Sequence, residues 1–315
     1  MQIKTVRLSD MFAWLIASFR MVGNNPGRFM LASFLSLLVV FALVFIMVLA
    51  LLGTAGMASF TQAGQQPDVK TLLYIYAGAA VFGILLMPPF VAGWFKLCHN
   101  LKTGKTASAF DIFSVYESSA RWLKLIQYSA LSLLLYIALH ALYLGACVAL
   151  GVGTDGFKTM LMPDPAADPL AMFNLGTGFW IAYIGLIFFG AVLQSMFMLG
   201  FTQAALTDAN AVDSLKAGIA GMLKNLPAFL AFMILALIGM ILVIIAAVLV
   251  IVLAITLLSF VHQSLGFIMG AALYVVLILY IYPLMFSFQY LLWEGILGDE
   301  HSPNAEAVNE SELML

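Results

Sequence analysis

Six stretches of this chain run for 23 residues or more without one charged side chain, and nothing else constrains its fold so tightly. They are Phe29–Leu52, Leu72–Phe95, Leu125–Leu150, Phe179–Phe201, Leu226–Val261 and Phe267–Trp293. A helix crosses roughly 30 Å of hydrocarbon at 1.5 Å per residue, so about 20 apolar residues suffice for a span. Composition agrees: only 9% of the 315 residues are charged and 64% are apolar, against about 25% charged in a soluble domain. The expected fold is an all-α integral membrane protein with six transmembrane helices. The first run is not read as a signal peptide, because its 24 apolar residues begin only at Phe29, whereas a signal core is about 7–15 residues long and lies near the start.

The fifth run is charge-free for 36 residues, about 54 Å as one helix and longer than an upright span needs. No Pro or Gly cluster divides it, so one long helix is expected, with 262–266 as the tip of a hairpin to the sixth span.

Basic residues near membranes stay on the cytoplasmic side. Lys4, Arg7, Arg20, Arg28, Lys96, Lys102, Lys105, Arg121, Lys124, Lys216 and Lys224 fall on one side of the six runs, and only Lys70 and Lys158 on the other. Both termini are therefore expected in the cytoplasm.

Met21-Val22-Gly23-Asn24-Asn25-Pro26 precedes the first run, and Met222-Leu223-Lys224-Asn225-Leu226-Pro227 precedes the fifth, aligned 201 residues apart. Proline suits the first turn of a helix, where its missing N–H is not needed. Upstream of each odd-numbered run lies a short segment of helical period: Met11, Leu15, Phe19 and Val22; Phe110, Phe113 and Tyr116; Val212, Leu215, Ile219 and Met222. These read as helices in the cytoplasmic interface with their apolar faces down, the first capped by Ser9 or Asp10. Pro89 to Trp94 and Pro283 to Phe288 share Pro, three residues, a small residue and an aromatic. The chain thus reads as one polytopic domain, residues 1–295, with three repeats over 9–105, 106–206 and 207–295. An acidic tail over 296–315, expected to be disordered, follows.

No Asp, Glu, Lys or Arg lies inside any run, so the costly buried charges that mark most membrane active sites are missing. His140 is the one deep ionisable group. Pro88, Pro89 and Pro283 are candidate kinks around a cavity, and Gln194 and Gln203 candidate interhelical hydrogen bonds. Asp155, Asp164 and Asp168 in the outer loop lack the spacing of a calcium loop. Cys98 and Cys147 read as structural thiols, with Cys98 and His99 too scattered from other groups to form a site. No catalytic residue, metal ligand or cofactor is expected. A net charge of −2 gives no reason to expect a nucleic-acid partner.

Asn24-Asn25-Pro26, Pro89 to Gly93-Trp94, Lys102-Thr103-Gly104-Lys105 and Phe110 together resemble uncharacterised bacterial inner-membrane proteins of the domain-of-unknown-function type. The resemblance covers the N-terminal third and implies a bacterial cytoplasmic membrane, with no activity to carry over. The expected role is a non-catalytic scaffold, assembly or protective factor, with membrane lipids and a protein at the cytoplasmic face as partners. The alternative is a transporter or channel for an apolar or lipidic solute.

Overall fold

The computed structural model describes residues 3–61, 69–153, 176–260 and 262–298, and all regular structure among them is helical. In chain order come α1 (Leu8–Asn24), α2 (Pro26–Thr61), α3 (Val69–Lys102), a 3₁₀ segment (Ala109–Glu117), α4 (Ser119–Ala149), α5 (Gly176–Leu206), α6 (Ala211–Lys224), α7 (Leu226–Ser259) and α8 (Gln263–Leu297). Asp155, Asp164 and Asp168 of the outer loop, and the acidic tail from Asp299 on, lie outside the described residues.

Five helices are long and apolar enough to cross a membrane, in α2, α4, α5, α7 and α8. The sixth run, Leu72–Phe95 in chain order the second, lies within α3, though many side chains in the first half of that helix are outside those described. The fifth run is one continuous helix, α7. The hairpin tip is shorter than expected: α8 already begins at Gln263, with the His262 ring accepting the Ser264 N–H at 3.2 Å. At its other end α8 continues to Leu297, carrying Ile296 and Leu297 into the core.

Packing is concentrated at the charged end. Trp94 of α3 stacks on Phe286 of α8 (ring centroids 5.0 Å) and on Phe29 of α2 (6.3 Å). Phe95 meets Phe286 at 5.6 Å and Phe201 of α5 at 6.3 Å, so four helices close on one aromatic cluster. The Trp94 indole donates to Ser36 Oγ at 3.1 Å, and Ser36 in turn to the Ala32 carbonyl at 2.7 Å. By contrast, the most apolar stretch of α7 contributes no buried residue. Such a surface is tolerable where the solvent is itself apolar, because lipid tails impose no penalty on exposed leucine and valine.

The N-terminal arm meets the end of α8 and the joint before α7. Lys4 N–H donates to the Ile296 carbonyl at 3.0 Å, and Val6 N–H to Asn225 Oδ1 at 2.8 Å. The start of α1 and the end of α8 therefore lie at the same end of the molecule.

Three joints share one hydrogen-bond pattern. Asn25, Ser118 and Asn225 each donate their N–H three residues back, to Val22, Val115 and Met222 (3.1, 3.3 and 3.1 Å). Each accepts from the N–H four residues on, Phe29, Trp122 and Phe229 (3.2, 3.0 and 3.0 Å). Asn25 and Asn225 also cap the preceding turn, donating to the Met21 and Gly221 carbonyls. The structural register pairs Asn25 with Asn225, one residue off the sequence match of Asn24 with Asn225. Proline tolerates either of the first helical positions, so its alignment misleads by one.

The apolar faces of the short elements divide between core and surface. In α6 the buried residues are Ala211, Ser214, Gly218, Gly221 and Met222, while Val212 is exposed. In α1 they are Met11, Ser18 and Val22, with Ile16 and Phe19 outside; Asp10 reaches back to the Arg7 N–H at 2.7 Å, so the helix begins one turn before it. The middle element is a 3₁₀ helix that buries Ala109, Ile112 and Val115 and leaves Phe110 exposed. Small residues face inward because backbones approach closely there. Gly93 abuts the Ile112 backbone, and a Cβ at Gly218 would stand 2.6 Å from Gly200 N. Gly295 likewise seats the Trp14 ring.

Candidate functional site

Two prolines inside α3 set up the site. Neither Pro88 nor Pro89 has an N–H, so the carbonyls four residues back lose their helical donors. Deep in a membrane such a carbonyl needs a partner from elsewhere. Leu85, four before Pro89, receives the Trp122 indole N–H at 2.9 Å, and the adjacent Leu86 carbonyl receives the Tyr116 hydroxyl. Both donors come from the 3₁₀ segment and the start of α4, which thereby sit against the prolines. Trp122→Phe should cost about 1–2 kcal/mol, the cost of one stranded acceptor. In a Pro89→Ala background, where the residue-89 N–H reaches Leu85 again, the same change should cost much less. Denaturant unfolding of the four proteins of this cycle measures the coupling.

Beside the prolines lies a pocket of about 390 Å³ between α3, α4 and α5. Pro88, Met87, Tyr128, Tyr136, Gln194 and Phe197 are among its walls. Two of the candidate residues, Pro88 and Gln194, therefore come together. Pro89 is buried next to them, whereas Pro283 is buried in α8 and does not line the pocket. Tyr128 is fixed by donating to the Phe197 carbonyl at 2.6 Å.

His140 stands one turn above Tyr136, outside the pocket wall. Its Nδ1 lies 2.9 Å from the Tyr136 carbonyl. A carbonyl only accepts, so Nδ1 donates, and Nε2 is turned towards Gly190. The imidazole packs on the Tyr136 ring at 3.9 Å and on Phe189 of α5 at 5.5 Å.

The two glutamines behave differently. Gln203 is buried, accepts the Trp293 indole N–H at 2.7 Å and donates to Thr207 at 3.2 Å, the interhelical bond expected of it. Gln194 makes no hydrogen bond to any described residue and opens into the pocket. The expectation of an interhelical bond fails there because nine residues turn a helix by two and a half revolutions, placing Gln194 on the opposite face.

A second polar group, missed from sequence, gathers where α3 and α8 end. Lys102 pairs with Glu294 at 3.3 Å; Glu294 accepts from the Tyr290 hydroxyl at 3.3 Å; that hydroxyl lies 3.3 Å from His99 Nδ1. Cys98 Sγ meets Ser287 Oγ at 3.7 Å. The spacing of Tyr290 and Glu294 by four was a legible signal of a shared helix face; their pairing with α3 was not. Burial pushes the Cys98 thiol up to about 12, so it stays protonated and is a poor nucleophile.

Burial first, then the Lys105 charge, hold the His99 imidazole below its ordinary 6.5, against the opposing pull of Glu294. Between that lowered value and 6.5 the unfolded chain binds a proton that the folded chain refuses. Stability contributed by neutral His99 is thus present above 6.5 and lost as pH falls through the interval. The unfolding midpoint should drop on acidification below about 6.5, and His99→Gln should flatten that slope in a pH series of melting curves.

No family model, no curated protein and no solved structure matches this chain.

Proposed function

We propose that the chain is a six-span protein of a bacterial cytoplasmic membrane, acting without catalysis as a scaffold, assembly or protective factor. The observation that carries this reading is the solid aromatic junction of Phe29, Trp94, Phe95, Phe201 and Phe286 at the charged end. A continuous passage for solute along the bundle axis would have to open that cluster. What the chain builds with care is a rigid charged-end layer, with apolar helices reaching from it into lipid.

The six-span count gains support from the meeting of Lys4 with Ile296, because two ends on one side require an even number of crossings. The basic residues put that side in the cytoplasm. The three joints at Asn25, Ser118 and Asn225 favour three repeats of interfacial element, span, loop and span. In this reading Ile16, Phe19, Phe110, Val212 and Leu223, all exposed, rest in the interfacial layer of the lipid. The cytoplasmic face is left for a protein partner. Purification of the tagged chain from native membranes in mild detergent should return a stoichiometric partner or a homo-oligomer. Recovery of the bare monomer alone would count against the scaffold.

A second reading, transport of an apolar or lipidic solute, is favoured by the pocket beside Pro88. That pocket opens on the flank of the bundle, so movement would follow the lipid-facing surface rather than a central channel.

A further inference from the structure

Three hydrogen-bonding groups of the pocket have no partner among the described residues: the Gln194 amide, the Tyr136 hydroxyl and the Ser129 hydroxyl. They lie deep. Along α5, Gln194 is seven residues inside Phe201, about 10 Å. Along α4, Tyr136 is eleven residues from Leu125, about 16 Å, close to the middle of a hydrocarbon core roughly 30 Å thick. At that depth an unbonded donor is expensive, since neither water nor lipid tails can accept from it.

The walls say what kind of molecule would. Tyr128, Tyr136 and Phe197 line it with aromatic rings, and the deep donors of Gln194 and Tyr136 stand among them. The occupant should be flat, apolar over most of its surface and carry acceptors for those donors. It must reach mid-membrane without carrying charge. Ester carbonyls of glycerolipids lie near the headgroups, about 10 Å short of Gln194, and a fatty acid brings a carboxylate. The volume of about 390 Å³ suits a small ring system, within the roughly 300–1,000 Å³ of ordinary ligand sites.

We propose that this pocket binds the ring of a prenylated quinone, its carbonyl oxygens accepting from Gln194 and Tyr136 and its chain leaving into the bilayer past Gly83. This goes beyond the scaffold reading and stands or falls separately from it, because quinone binding and partner capture are read in different experiments. Only binding is implied; no electron transfer is.

The test uses the full chain in nanodiscs of phosphatidylethanolamine and phosphatidylglycerol, titrated with a short-chain prenylated benzoquinone. Quinone retained per protein is counted, and quenching of protein fluorescence followed. Saturable binding of one molecule per chain is expected. Tyr136→Phe and Gln194→Leu should each weaken it about three- to tenfold, the effect of one lost hydrogen bond. Gln127→Leu, which removes an exposed amide of α4 outside the pocket, should leave it unchanged. Tyr136→Phe keeps the ring and carries the test if Gln194→Leu fails to fold, as its melting curve would show. Absence of saturable binding, equal binding to Tyr136→Phe and wild type, or displacement by diacylglycerol at the same mole fraction would each overturn the assignment.

Discussion

Gly218→Leu is expected to destabilise the protein by about 3 kcal/mol, the upper end of the usual cost of overpacking. A Cβ at Gly218 would stand 2.5 Å from the Met196 carbonyl oxygen, 2.6 Å from Gly200 N and 2.8 Å from Gly200 Cα. All three are backbone atoms of α5, so no rotamer change relieves the clash; α6 has to move away as a body. Movement would break the seat that also holds Ser214 against Gly200. Gly23→Ala supplies the contrast. Nothing lies within 4 Å of that position, and helical alanine is favoured over glycine by about 0.5–1 kcal/mol. Unfolding in mixed micelles of increasing dodecyl sulfate should therefore separate two glycine replacements by sign.

Trp94→Ala should cost about 3–5 kcal/mol, in the range of large aromatic truncations in packed cores. The ring is completely buried, stacked between Phe29 and Phe286 and edge-on to Tyr282 at 5.5 Å. Its loss leaves a void where α2, α3 and α8 meet, in the layer that holds nearly all the packing. Trp94→Phe keeps most of the stack and removes only the indole donor to Ser36. The smaller change should cost about 1–2 kcal/mol. If both substitutions cost the same, the hydrogen bond rather than the stack is what organises the junction.

The long helices were legible because lipid leaves the backbone few choices: a charge-free run of twenty or more residues satisfies its own N–H and C=O groups as a helix. That logic places α7 from Leu226 to Ser259 without any knowledge of its neighbours. How the apolar faces of α1 and α6 divide between core and surface was not legible. The apolar stripes put Met11 and Val22 on the same face as Phe19, and Met222 on the same face as Val212, yet only Met11, Val22 and Met222 are buried. In lipid Phe19 and Val212 gain nothing by hiding, and close backbone approach selects Ser18 and Gly218 instead. Asparagine and proline marked the two joints, but the register depended on a cap geometry that Asn25 shares with Asn225 and no spacing reveals. Of the candidate site, Pro88 and Gln194 were visible as odd residues in apolar runs. Their convergence with Tyr136 depends on how α3, α4 and α5 pack, which a linear pattern does not encode. Cys98 and His99 gained partners on α8 for the same reason, through residues 189 and 191 positions away.

The proposed arrangement threads six hydrophobic helices through a bilayer, with the arm at Lys4 and the end of α8 on one side. The most direct measurement places a small epitope at each terminus and assays its exposure to protease in sealed right-side-out and inverted vesicles. Both epitopes should be cleaved in inverted vesicles and both protected in right-side-out ones. Cleavage of one epitope in each preparation, or release of the chain from the membrane by alkaline carbonate, would contradict it.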